Sequence, residues 1–179
     1  MINFSRSFTM PKLLTSRRHF LKTAAGAPLI MSNLQSAPSA NGKLNLAAVG
    51  VDGQGWSDLT SIASHSSVNV TAICDVDTAR MAKAIAKFPN ARTYQDWREM
   101  LETEGDEIDS VQVATPDNMH APVSIDAMER GKHVYCEKPL AHEVAETRAM
   151  TRAAAKAGVV TQMGNQIQST IEYRSAVAL

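Results

Sequence analysis

Four short segments carry residue types suited to gripping a phosphorylated cofactor and moving protons beside it. The first is Gly50-Val51-Asp52-Gly53-Gln54-Gly55. Glycines in such a turn let backbone N–H groups approach a pyrophosphate and seat it on the positive end of the helix that follows. A G-x-G-x-x-G spacing would want glycine at position 52, where this chain has Asp52 with Gly53 next to it. A carboxylate about 5 Å from a phosphate costs roughly 3 kcal/mol at an effective dielectric near 20, so Asp52 is expected to point away to solvent. The second is Asp75, placed 20 residues beyond Gly55. An acid there accepts hydrogen bonds from ribose hydroxyls and repels a 2′-phosphate, which favours NAD over NADP. Asp77 is better suited to capping the next helix. The third and fourth are Thr115-Pro116-Asp117-Asn118-Met119-His120 and Glu137-Lys138-Pro139. A lysine shuttles protons near neutrality only where burial or nearby cations lower its pKa, and a neighbouring glutamate facing the same way opposes that.

These segments must be brought together by strands and helices. Residues 44–49 form a short apolar run ending in glycine, and 68–74 a β-branched run; both read as buried strands. Further strands are expected at 91–94, 108–114, 133–136 and 159–163. Helices are expected at 56–63, at 78–87 behind the Asp77 cap, and from Asp96 through Leu101. Others follow at 118–130 (ended by Gly131), at 143–157 (closed by Gly158) and at 170–179. Strands alternating with helices of this length predict βαβ units around a parallel sheet. The fold class expected is α/β, a Rossmann-type doubly wound parallel sheet, with ligands outside the carboxyl ends of the strands. All four segments fall on those ends. With strand order 3-2-1-4-5, Cys74 and Cys136 stand about 14 Å apart, beyond the ~7 Å that a disulfide tolerates. Two free thiols are expected.

Composition narrows the alternatives. The chain has 179 residues, 44% hydrophobic and 20% charged, with 18 basic and 18 acidic side chains. That profile is globular, and the balance leaves no cationic surplus for general nucleic-acid binding. Two cysteines make no disulfide scaffold, and no metal site is expected. The charges are segregated, however. Residues 1–51 contain no Asp or Glu but hold Arg6, Lys12, Arg17, Arg18, Lys22 and Lys43.

Within that segment Ser16-Arg17-Arg18-His19-Phe20-Leu21-Lys22 precedes an uncharged stretch, residues 23–42, with small residues Ala37, Ser39 and Ala40 near its end. Pro28, Ser32, Asn33, Gln35, Ser36 and Pro38 make that stretch too polar for a membrane span. The heptad resembles the S-R-R-x-F-L-K motif of twin-arginine signal peptides, whose export machinery would then be a partner. The resemblance implies a cleaved leader over residues 1–40 and a periplasmic or secreted destination.

The pairing of a glycine turn with an acid ending strand two also suits a methyltransferase that uses S-adenosylmethionine. The later segments decide against it. Val113-Ala114-Thr115-Pro116-Asp117-Asn118-Met119-His120, then Gly131-Lys132-His133-Val134-Tyr135-Cys136-Glu137-Lys138-Pro139, strongly resemble the Gfo/Idh/MocA oxidoreductases, and Met163-Gly164-Asn165-Gln166 looks like the stretch after their sixth strand. The resemblance implies that Lys138 is the lysine of the catalytic site and that His120 contacts substrate. It places Thr115, Pro116, Asn118, Glu137, Lys138, Asn165 and Gln166 beside NAD, together with Gly50, Gly53, Gln54, Gly55 and Asp75. His65, His133 and His142 are read as structural.

The resemblance further implies a nucleotide-binding domain over 41–165 and, over 166–179, the start of a second domain that would cover the nicotinamide. Most of that substrate domain is absent from this sequence, so a truncated product or partial sequence is expected, with an apolar face left exposed. The implied reaction is hydride transfer on a sugar or polyol, with room for a homo-oligomer. An NAD-dependent glycosidase of the same family and a non-catalytic nucleotide-binding fragment are the alternatives.

Overall fold

The strands bury alternate side chains on opposite faces, and that alternation builds two cores. The computed structural model describes residues 42–177. In chain order the elements are β1 (Leu44–Val49), α1 (Gln54–Ile62), β2 (Val68–Cys74), α2 (Thr78–Lys87), β3 (Arg92–Tyr94) and α3 (Trp97–Glu104). There follow β4 (Ser110–Val113), α4 (Asp117–Glu129), β5 (His133–Glu137), α5 (Val144–Ala157), β6 (Thr161–Gly164) and α6 (Ile171–Val177). Leu46 and Ala48 of β1 join Val70, Ile73, Leu59 of α1 and Met81 of α2 in one cluster. Ala47 and Val49 turn the other way, to Val111, Val113, Val134 and the helices α3, α4 and α5. Helices on both faces are what a parallel sheet needs to bury its apolar strands.

The sheet order is β3-β2-β1-β4-β5-β6, and each neighbouring pair is parallel. The chain winds outward from β1 in one direction, returns to β4 and winds outward in the other. This is the expected doubly wound architecture, with its switch point between β1 and β4. Cys74 on β2 and Cys136 on β5 are free and buried, with β1 and β4 between them.

Local signals set most boundaries. The Asp77 and Asp96 side chains accept from the backbone N–H of Ala79 and Arg98 and so start α2 and α3. Gly158 takes the left-handed conformation, φ 68°, that closes α5. Several boundaries differ from expectation, among them the edge of α3, which runs on to Glu104 rather than ending at Leu101. Helix α1 begins at Gln54 rather than residue 56, because Gly53 serves as its N-cap; the last glycine of the turn therefore lies inside the helix. β4 is shorter than 108–114, because a 3₁₀ turn at Gly105–Glu107 is followed by Ile108. β6 runs Thr161–Gly164 rather than 159–163, and its register sets Gly164 against Glu137. His133 and His65 have structural tasks, each Nδ1 accepting a backbone N–H, from Val160 and Ser67. His142 is exposed beside Glu143. The expected leader, residues 1–40, lies outside the described residues. No described helix is long and apolar enough to cross a membrane.

Candidate functional site

Strand register brings the expected segments to one rim. Val49 is level with Cys74 on one side and Val113 on the other, and Val113 with Cys136. The residues that follow these four therefore emerge along one edge. Gly50 N–H donates to Cys74 O at 2.9 Å, and Ala114 N–H to Val49 O at 2.9 Å. Gly50 has φ 81°, and a Cβ on it would stand 2.5 Å from Ala114 O. One on Gly55 would stand 2.1 Å from Gly50 O, so only glycine lets α1 approach the turn this closely. From beneath, the Gln112 side-chain amide donates to Gly55 O at 2.9 Å. The start of α1 carries no side-chain cap and no acid in its first turn. Its free N–H groups are a ready place for an anion.

Beside this turn runs a cleft of about 690 Å³, bounded by Gly50, Asp52, Asp75, Arg80, Trp97, Thr115, Pro116 and Asn118 among others. Asp75 Oδ2 accepts from Val51 N–H and Oδ1 from Asp77 N–H, each at 3.1 Å. Each carboxylate oxygen keeps a further lone pair for a ligand hydroxyl. Asp52 departs from expectation. It lies along the same cleft and is ion-paired with Arg80 at 3.6 Å instead of pointing into open solvent. A guanidinium supplied by α2 gives this carboxylate the counter-charge that water was expected to provide. Thr115 Oγ1 is buried and has no partner in the protein.

His120 is not placed as the substrate contact expected of it. It is only 2% exposed, with Nδ1 at 2.6 Å from Pro139 O and Nε2 at 2.8 Å from Thr115 O. Both ring nitrogens are spent on joining the loop after β4 to the loop after β5. Its place at the start of α4, among residues that turn toward β5, is what directs it inward. Lys138 is exposed, and its backbone N–H donates to Glu137 Oε2 at 3.1 Å. Glu137 itself turns inward and is only 4% exposed.

On the α1 side of β5 lies a polar cluster of which sequence reasoning found only part. Asp58, in the second turn of α1, is 5% exposed. Its Oδ1 accepts from Gln54 Nε2 at 2.8 Å and Gln166 Nε2 at 3.0 Å. Gln166 Nε2 also donates to Tyr135 Oη and Glu137 Oε1, while Tyr135 Oη donates to Glu137 Oε1. Gly164 makes room: a Cβ there would stand 2.0 Å from Glu137 Oε1. Burial, reinforced by the Glu137 carboxylate, holds the Asp58 carboxyl above its ordinary range, against the pull of the two glutamine amides. Burial, then the charges of Asp58 and Glu137, push Tyr135 up to about 12, so it remains a donor. Asp58 had a signal, because Gly55, Asp58, Leu59 and Ile62 form a stripe at helical spacing. Tyr135 and Gly164 had none beyond strand alternation. Asn165 is exposed and makes no side-chain hydrogen bond.

A doubly wound sheet, glycines that admit no side chain, an uncapped helix start and an acid ending β2 together define a dinucleotide-binding domain. The unpartnered Thr115 hydroxyl and the cleft volume fit such a ligand. Residues 44–165 match the oxidoreductase family with an NAD-binding Rossmann fold, Gfo/Idh/MocA, and the chain belongs to that family as its NAD-binding domain. A glycosyl hydrolase family 109 protein of Shewanella sp. (strain W3-18-1) is 30% identical over 88% of this chain. The WlbA dehydrogenase from Chromobacterium violaceum, solved with NADH and UDP-GlcNAcA, is 26% identical with a TM-score of 0.66, over 76% of this chain and 39% of that one. The myo-inositol 2-dehydrogenase from Lactobacillus plantarum is 26% identical with a TM-score of 0.69, over 75% of this chain and 40% of that one. The chain spans 40% of the length of the hydrolase relative.

Proposed function

We propose that the intact protein is an exported oxidoreductase that moves hydride between a sugar or polyol and NAD, and that this chain supplies the cofactor half. The observation that carries the reading is the common rim: Gly50, Asp75, Thr115 and Lys138 all follow strand ends held level by one register. NAD supplies the hydride acceptor when bound. Gly50, Gly53, Gln54 and Gly55 would seat its pyrophosphate on the start of α1, and Asp75 would hold the adenosine ribose. Thr115, Pro116 and Asn118 would border the path toward the nicotinamide, with Glu137, Asn165 and Gln166 on the β5–β6 side. Lys138, exposed at the rim, would contact the substrate hydroxyl and assist proton transfer there. His120 would act only by fixing the Thr115 and Pro139 loops.

One observation favours a second reading. The family 109 relative is named a hydrolase, and in an NAD-dependent glycosidase the cofactor returns unchanged. Assay of the full-length protein loaded with NAD separates the two. Free sugar giving NADH absorbance supports the dehydrogenase. Cleavage of an aryl glycoside with no NADH build-up supports the glycosidase, and bound NAD with neither activity leaves a binding module.

Export through the twin-arginine route rests on Arg17-Arg18 and the acid-free leader. The likeness to the hydrolase covers 88% of the chain, more than residues 42–179 could supply alone, which supports a shared leader. Replacing Arg17 and Arg18 by lysine is expected to keep the protein in the cytoplasm with its leader uncut; the intact mass of each fraction reads this directly.

A further inference from the structure

We propose that Asp58 holds a proton beside the Glu137 carboxylate and that this proton sets the preference of the site for oxidised over reduced cofactor. The two side chains are 5% and 4% exposed, and Gln166 Nε2 donates to both across the gap between α1 and β5. The donors around them leave one carboxylate oxygen unserved. Gln54 gives one N–H to Asp58 Oδ1, the Lys138 backbone gives one to Glu137 Oε2, the Tyr135 hydroxyl gives one to Glu137 Oε1, and the two N–H groups of Gln166 serve three acceptors. Asp58 Oδ2 is buried with no donor facing it. The ion pairs made by Arg80, Arg92, Arg98, Arg130 and His142 all go to other carboxylates. One proton on Oδ2 supplies what is missing, and two like charges this close do not both ionise readily. The other titratable group facing the pair is Tyr135, which stays protonated; Lys138 follows on the exposed side.

This inference rests on the proposed placement of NAD. With the pyrophosphate over Gly50–Gly55 and the adenosine on the Asp75 side, the nicotinamide lies across the switch point, toward β4 and β5. The oxidised ring is a cation and the reduced ring is neutral. Once Asp58 has lost this proton the site carries one more negative charge and so favours the oxidised ring. By reciprocity, binding the oxidised form expels the proton and binding the reduced form does not.

The test is titration of the full chain with NAD⁺ and with NADH between about pH 5 and pH 9, following both affinity and proton release. A unit charge within about 10 Å at an effective dielectric of 20 is worth about tenfold in affinity. We expect the affinity ratio, oxidised over reduced, to rise by about that factor with pH. We also expect proton release on binding NAD⁺ over the pH range in which this ratio rises, and none on either side of it. Asp58→Asn preserves the shape without the titrating proton and should abolish both effects. Should that variant not fold, proton release by the wild-type chain still decides the matter. If both forms bind with a ratio that ignores pH and release no proton, this inference falls and the cofactor site stands. If neither form binds, the proposed function falls and takes the inference with it.

Discussion

Asp75 serves the loop before it serves any ligand. By accepting from Val51 N–H it ties the end of β2 to the glycine turn, and by accepting from Asp77 N–H it steadies the start of α2. Asp75→Ala is therefore expected to weaken NAD binding by about 1–3 kcal/mol, the range for hydrogen bonds to a charged group, as read by calorimetry. The thiols give a contrasting prediction. Burial pushes Cys74 up to about 12 and Cys136 up to about 11, so neither forms thiolate near neutrality. Both should resist a thiol reagent at pH 8 in the folded protein and react once it is unfolded. At this scale the sequence was legible where a residue type has one dominant use. Asp75 and Asp77 could be told apart because one ends a strand and the other precedes a helix. His120 and Asp52 were not legible, because their partners, Pro139 and Thr115 for one and Arg80 for the other, are supplied by tertiary structure.

At the scale of elements, the glycine turn and α1 act as one device. Gly55 sits inside the helix with its Cα pressed against the Gly50 carbonyl, and Gln112 holds its oxygen from β4. Gly55→Ala places a methyl 2.1 Å from Gly50 O. Overpacking of this kind costs about 1–3 kcal/mol in stability, and the start of α1 must shift to relieve it. The expected outcome is a larger proportional loss in NAD affinity than in folding free energy, measured by calorimetry and urea titration on the same variant. Strand and helix order were readable because apolar alternation and aspartate caps are local signals. The edges of β4, β6 and α1 were missed, since a 3₁₀ turn, a register and an N-cap glycine settle them.

For the whole molecule, one consequence concerns pH. The Asp58 carboxyl binds its proton more tightly in the folded protein than in the unfolded chain. Its contribution to stability is complete below the unfolded pKa and is lost as pH rises through the raised folded value. Asp58→Asn removes that loss. In urea unfolding the variant should gain on wild type at pH 8, by a margin that shrinks toward acid. Val160, just before β6, and Ile167, Ile171, Tyr173 and Val177, after it, are exposed apolar side chains among the described residues.

The most direct measurement is an amide-resolved NMR titration of the chain with NAD⁺. The amides of Gly50 to Gly55, Asp75 and Val76, Thr115 and Lys138 are expected to shift together along one saturation curve. Shifts confined to the opposite edge of the sheet, or no saturable shifts in these residues, would contradict it.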